Sequence, residues 1–320
     1  MPDTDTDKES FAAGAPLEFR LPIGAAPERL DKALARLIPE HSRARLQAWI
    51  EEGHVLVNGR PGKVKQITHP GDVLTVWEQQ PPESLAFVPE NVDFTVVADS
   101  PDWIVVNKPA GLVTHPGAGN WSGTLLNGLL YRYPELSQVA RAGIVHRLDK
   151  DTSGLLVVAR HEKAQTHLIR QMQARTVSRR YVALVHGRMG RAGTVDRAIG
   201  RDPRVPVRMA VEPAIAARPA VTHYEPLRMG VADGEYGVCE VACRLETGRT
   251  HQIRVHMASL GHPLVGDVLY GGKLIAGARR QMLHARALAF DDYSGGGRKS
   301  FEAEPAPDFA AVLEGVQWET

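Results

Sequence analysis

Twelve residues near the middle of the chain, Gly143-Ile144-Val145-His146-Arg147-Leu148-Asp149-Lys150-Asp151-Thr152-Ser153-Gly154, set seven polar or charged side chains between two apolar runs. A polar turn between strands would account for them, because Asp, Thr, Ser and Gly are ordinary turn formers. The same spacing also presents a carboxylate at a strand end, where, if ionised, it can serve as nucleophile or base. Competing chemistries fail on spacing. His251 and His256 lie five apart, about 140° around a helix, and form no metal-binding face. Cys239 and Cys243 fall on one side of an alternating strand with no second pair, so they read as reduced core thiols. The loop Gly117-Ala118-Gly119-Asn120-Trp121-Ser122-Gly123 has one residue too many for a dinucleotide loop and lacks the acidic ribose partner. The HExxH and zinc-deaminase patterns are absent. A glycosidase needs two separated carboxylates, and Asp151 is too near Asp149 to be assumed the second. The expected chemistry is that of one carboxylate, without metal or cofactor.

The elements that must position this carboxylate follow from periodicity. Phe94–Ala98, Trp103–Val106, Gly143–Asp149 and Leu155–Arg160 read as strands, the last two joined by a Thr152-Ser153-Gly154 turn. Ala164, Leu168 and Met172 share one face of a helix over 162–175. Tyr181–Val185, Ala220–Tyr224 and Gly237–Leu245 continue the strand pattern, and Thr250–Leu260 reads as a helix ended by Gly261. Upstream, Leu30, Leu34, Leu37 and Ile38 mark a short helix stopped by Pro39. Ser42 caps a second helix with Leu46, Trp49 and Ile50 on its apolar face. A hairpin turning at Asn58-Gly59 and a closing strand at 71–76 complete a small αα-β unit.

The 320 residues carry a net charge of only +1, but the average hides a basic centre between acidic ends. From Lys163 to Arg208 there are ten Arg and one Lys against Asp196 and Asp202, which suits a polyanionic partner. No apolar run approaches the ~20 residues of a membrane span. The acidic start MPDTDTDKES is the reverse of a secretory signal, so a cytoplasmic location is expected. The expected organisation is a disordered acidic tail at 1–16, a small αα-β domain at 17–78, a Pro-rich linker at 79–90, a mixed α and β domain of catalytic size at 91–305 and an acidic C-terminal tail at 306–320.

The segment from Arg29 to Val76 resembles the small RNA-binding domain first described in a small-subunit ribosomal protein. HRLDKDTSGLLVVAR, RRYVALVHG and LETGRTHQIRVH, in that order, resemble the signature blocks of the RluA/RluD-type pseudouridine synthases of large-subunit ribosomal RNA. NKP at 107–109, HPGAG at 115–119 and AVTHY at 220–224 are most similar to the RluD group. The resemblance implies an α+β chain with a mixed, mainly antiparallel catalytic sheet flanked by helices. It implies a monomer acting on 23S ribosomal RNA or the large-subunit particle, with no metal and no membrane. Asp149 takes the place of the catalytic aspartate, Arg254 is its bidentate cation partner, and Tyr181 is the ring on which uracil stacks. A base inside a stem-loop must leave its stack to be reached. Arg147, expected on Asp149's side of an extended segment with His146 pointing away, would fill the gap. The RNA-contacting set is completed by Arg43, Arg45, Lys63 and Lys65 in the small domain and by His146, Arg249 and His251 in the catalytic one. Two rivals differ in kind: a sister synthase with other target uridines, and a catalytically silent ribosome-assembly factor.

Overall fold

The computed structural model describes residues 15–79 and 82–319, and the tail expected over 1–16 falls almost wholly outside them. The chain divides into two compact units, residues 1–81 and 82–320.

In the first unit, β1 (Leu17–Arg20) and β2 (Glu28–Arg29) precede helices α1 (Leu30–Leu37) and α2 (Arg43–Glu51). Strands β3 (Val55–Val57), β4 (Arg60–Pro61), β5 (Ile67–Thr68) and β6 (Val73–Val76) follow. The main sheet has the order β1-β6-β3-β4, while β2 and β5 pair separately. The 3.6-residue period of Leu30, Leu34 and Ile38 buries one face of α1 against Leu46, Trp49 and Ile50 of α2. The Ser42 hydroxyl accepts from Arg45 N–H at the start of α2. Asn58 and Gly59, both with positive φ, make the tight turn between β3 and β4.

The second unit is built on one large sheet. Its elements begin with β7 (Thr95–Asp99), β8 (Trp103–Lys108), α3 (Leu125–Arg132), β9 (Ser153–Ala159), α4 (Glu162–Gln173) and β10 (Ser178–His186). They continue through β11 (Gly193–Asp196), β12 (Ile199–Arg201), β13 (Met209–Ala210), β14 (Ile215–Arg218), β15 (Val221–Ala232), β16 (Tyr236–Leu245) and α5 (Gln252–Ser259). The last are β17 (Leu283–Asp291), β18 (Arg298–Glu302), α6 (Pro307–Glu314) and β19 (Val316–Trp318). The strand order is β11-β15-β16-β10-β17-β9-β8-β7, with β18 also on β17 and β19 also on β15. Only β9 and β17 run parallel among these pairs; the rest are antiparallel. Every residue of β9 is buried, as a central strand covered on both faces requires. Leu125 and Leu129 of α3 pack on one side of the sheet, and Ala164 and Leu168 of α4 belong to the cluster on the other. Cys239 and Cys243 are reduced and buried in the core, as the alternation of β16 requires. The architecture is α+β.

Four local readings are corrected. Residues 143–149 form no strand: Gly143 ends a 3-10 helix, Ala140–Gly143, and one backbone bridge, between Ile144 and Val158, joins the segment to the sheet. Ser153 and Gly154 are not a turn but the start of β9, paired with His284 and Ala285 of β17. The acidic end at 306–320 folds back as α6 and β19, because Phe309, Val312 and Val316 bury against Val182 and Leu184 of β10. Within the linker reading of 79–90, Pro82–Phe87 is a 3-10 helix of the second unit. The Asn127 amide holds it by donating to the carbonyls of Leu85 and Val88.

Candidate active site

Two glycines bracket the segment that carries Asp149. Gly143 has φ +78, and a Cβ there would lie 1.9 Å from the Ala159 carbonyl oxygen. Gly154 has φ +115, and a Cβ there would lie 2.3 Å from the Ala285 carbonyl oxygen. Only glycine lets the chain approach the sheet this closely at both ends. Between them the segment lies along the stretch of β9 that β17 leaves unpaired. Val157 N–H donates to His146 Nε2 at 3.1 Å, and the Thr114 hydroxyl donates to the Leu148 carbonyl at 2.8 Å. Thr152 N–H closes a turn onto the Asp149 carbonyl. Beneath the turn lies Lys108, fully buried, its ammonium donating to the carbonyls of Pro109, Leu112 and Lys150 at 2.8–2.9 Å. Burial pushes that ammonium down to about 7 against the pull of Asp149 and Asp151. The backbone of the reactive segment is thus held from β9 and from below.

Asp149 opens into a cleft of about 920 Å³ lined by Arg147, Tyr181, Arg249, His251 and Arg254, with the 115–118 loop on its rim. Arg254, on α5, donates from Nη1 to Asp149 Oδ2 at 3.4 Å. The bidentate pair expected between these two is instead made with Asp267, whose Oδ2 and Oδ1 accept from Nε at 2.6 Å and Nη2 at 2.9 Å. The geometry gives the reason: the Nε/Nη2 edge of the guanidinium is occupied by a carboxylate that is 1% exposed, and Asp149 is reached only from Nη1. Burial works against the charge on Arg254, and Asp267 outweighs it, holding the pKa above the ordinary arginine value. Tyr270 lies under the same guanidinium at 5.0 Å, its hydroxyl accepting from Met209 N–H and shared with His251 Nδ1. Tyr181, on β10, is buried with its ring in the cleft wall, and burial raises its phenol pKa.

Arg147 is exposed at the cleft, whereas His146 is turned against β9. Burial, aided by the charge of Arg179, lowers the His146 pKa to about 3. His146 therefore props the segment as a neutral acceptor and brings no cation to RNA. Arg249 lines the cleft with Nε donating to the Pro219 carbonyl. His256, by contrast, is a buried structural residue bonded to Thr222 and the Arg197 carbonyl.

In the first unit Lys63 and Lys65 are exposed. Arg43, expected to face an external anion, is instead bonded through Nε and Nη2 to buried Asp31. Arg45 donates to the Gln79 carbonyl and lies over the Trp49 ring. Among the described residues the one grouping with metal-ligand spacing, Glu40, His41 and Glu78, is in this unit and not in the cleft.

Asp267, Tyr270 and Lys108 were not singled out by sequence reasoning as site residues. Asp267 had a signal, as a lone carboxylate in the apolar run from Leu264 to Tyr270, and Lys108 had another, as a charge ending an apolar strand.

A family model described as RNA pseudouridylate synthase matches residues 102–259, and one described as S4 domain matches residues 28–74. The ribosomal large subunit pseudouridine synthase D of Neisseria meningitidis serogroup A is 47% identical over 95% of this chain and 83% of its own. The protein of the same name from Pseudomonas aeruginosa is 43% identical over 92% of this chain and 93% of its own. The solved structure of human RNA pseudouridylate synthase domain containing 1 matches with a TM-score of 0.56 at 30% identity, over 76% of this chain and 92% of that one. An S4 module is followed in sequence by a unit whose cleft holds one poised aspartate, and the relatives match across nearly the whole of both: the chain belongs to the RNA pseudouridylate synthase family.

Proposed function

We propose that this pseudouridine synthase isomerises uridines of large-subunit ribosomal RNA, the large subunit being the one that its relatives' names give, and that the target uridines lie in a stem-loop. The observation that carries the reading is Asp149, fixed by its own backbone at the cleft and addressed by one N–H of an arginine already neutralised by Asp267. The carboxylate supplies an electron pair to the ribose, either by adding to C1′ or by taking the C2′ proton. The C1′–N1 pair leaves with the uracil. The ring turns within the cleft, its C5 bonds to C1′ as the carboxylate contribution is reversed, and the C5 proton is lost while N1 takes up a proton. Atoms and charge balance without a redox partner, so the reading needs neither metal nor cofactor. Tyr181 stacks on the base, and Arg147 fills the gap the base leaves in the RNA. Arg249 and His251 at the cleft, with Arg45, Lys63 and Lys65 in the first unit, contact RNA. The enzyme acts as a cytoplasmic monomer.

The test is pseudouridine mapping in ribosomal RNA from cells lacking the gene, complemented with the wild type or Asp149→Asn. The substitution keeps size and one acceptor but removes the reactive charge, so specific pseudouridines should return with the wild type alone. RNA affinity of the variant should stay within about tenfold, ~1.4 kcal/mol, since one side chain among many phosphate contacts contributes little. A folded Asp149→Asn protein that restores the modification would remove the mechanism.

A further inference from the structure

Three cations lie buried around the cleft, and protein groups provide for two of them. Lys108 has three carbonyls and an ammonium that gives up its proton near neutrality. Arg254 has Asp267. Arg179, 8% exposed, has one hydrogen bond, from Nη2 to the Glu246 carbonyl at 3.2 Å, and a buried Nε–H with no acceptor. Among the described residues no carboxylate pairs with it. A buried charge without a counter-charge costs several kcal/mol. The site as folded is therefore short of an anion.

The position of Arg179 shows where that anion belongs. Residues two apart on a strand share a face, so Arg179 stands beside Tyr181 on β10, and both line the cleft while Arg180 between them is exposed. Gly248 leaves space for the guanidinium, since a Cβ there would lie 2.7 Å from Nη1. When the C1′–N1 bond breaks, its electron pair stays on the uracil ring, and the charge spreads over N1, O2 and O4. The turn that brings C5 to the place of N1, about the axis through N3 and C6, also exchanges O2 with O4. A donor fixed at the ring edge thus meets a carbonyl oxygen before and after the turn.

We propose that Arg179 is a catalytic residue whose guanidinium donates to a carbonyl oxygen of the bound uracil and carries the negative charge of the departing base. The inference rests on the reading of Asp149 as the reactive carboxylate in a pseudouridine synthase.

Single-turnover rates and RNA dissociation constants of Arg179→Ala, Arg179→Met and Arg179→Lys test it. The substrates are an RNA carrying the mapped target uridine and the same RNA with 5-fluorouridine there, whose base leaves more readily. Loss of the N-linked nucleoside from nuclease digests is the readout for both. With uridine, the Ala and Met variants should slow about 10²–10³-fold, with Kd changed less than about threefold. With 5-fluorouridine the defect should shrink at least tenfold, and Lys should recover part of the rate. The Met variant should melt no lower than the wild type, because an uncompensated buried charge has gone. Equal defects on both substrates overturn the proposal, as does a loss confined to Kd, which would mark a phosphate contact. If the neutral variants fail to fold, the same substrate comparison with Arg179→Lys decides. A wild type that forms no pseudouridine would sink the functional reading itself, whereas an active wild type beside undiminished Arg179 variants sinks only this inference.

Discussion

Asp31 in the first unit and Asp267 in the second are both sealed from solvent and both gripped by arginine, but they leave their partners in different states. Asp31 collects Arg29, Arg43 and Gln47; burial pushes its carboxyl up, and these hydrogen bonds bring it down to about 2. The donors it binds tie the start of α1 to α2. Arg29 and Arg43 keep much of their surface in water, so the pairing is a brace whose far side stays solvated. Asp267 takes the Nε/Nη2 edge of one guanidinium, and Arg254 is nearly as buried as its partner. From what remains, Nη1 reaches Asp149 at 3.4 Å. The same ion-pair chemistry gives scaffolding in one unit and a metered electrostatic contact in the other. The difference lies in where the remaining donors find themselves: in solvent for Arg29 and Arg43, and beside Asp149 for Arg254.

The comparison breaks most sharply at Asp267. In Asp267→Asn the buried Arg254 loses its counter-charge, and the nearest carboxylate is Asp149. A fork pairing there would occupy the oxygens needed for chemistry. Single-turnover rate should fall about 10²–10³-fold, RNA affinity should hold, and stability should drop by roughly 3–5 kcal/mol. In a double-mutant cycle with Arg254→Ala the rate losses should not add, since both act through the same contact. Additive losses would show that Asp267 does not work through Arg254.

Asp31→Asn is the matching change in the first unit. Its partners are partly exposed and can be rehydrated, so the expected loss is about 2 kcal/mol, read as a lower urea midpoint for that unit. The single-turnover rate at saturating folded enzyme should not change. A rate loss comparable to that of Asp267→Asn would mean that the brace does more than hold α1 to α2.

The two aspartates also show what a sequence reveals and what it hides. Local periodicity found α1, the cap of α2 and the Asn58-Gly59 turn, because each is decided by neighbours a few residues away. The Asp149 segment was legible because polar side chains crowded between apolar runs are costly to place unless they meet a cleft. Arg43 was misread for the opposite reason: its partner is twelve residues away, across a turn whose geometry no pattern specifies. Asp267 escaped because its role exists only where α5 meets the loop after it. The stretch at 306–320 looked like a tail by charge, yet the apolar trio Phe309, Val312 and Val316 decided its fate once β15 offered an edge. Residues 143–149 looked like a strand and instead lie along one, held by His146.

That prop gives the smallest effect and the most selective one. His146 accepts from Val157 N–H through Nε2, so it must stay neutral, and its pKa falls from the usual 6.5 to about 3. Between those values the unfolded chain binds a proton that the folded chain refuses. Stability contributed by the neutral ring is therefore complete above pH 6.5 and is lost progressively as pH falls toward 3. From pH 7 to pH 5 this amounts to roughly 2 kcal/mol. Glutamine at this position offers a carbonyl acceptor that does not titrate, so His146→Gln should lose less stability over that interval, by roughly 1–2 kcal/mol. Burial also lowers the pKa of His186, His251, His256 and His284, but these remain in both proteins and cancel in the difference. Asp31, held at about 2, contributes little above pH 5. Urea midpoints of the two proteins at pH 7 and pH 5 supply the measurement. Parallel pH dependence would mean that the His146 ring is not the neutral support of the reactive segment. A smaller acid loss in the glutamine protein, with pseudouridine formation retained at pH 7, would assign to His146 the holding of Asp149 in place and no part in binding RNA by charge.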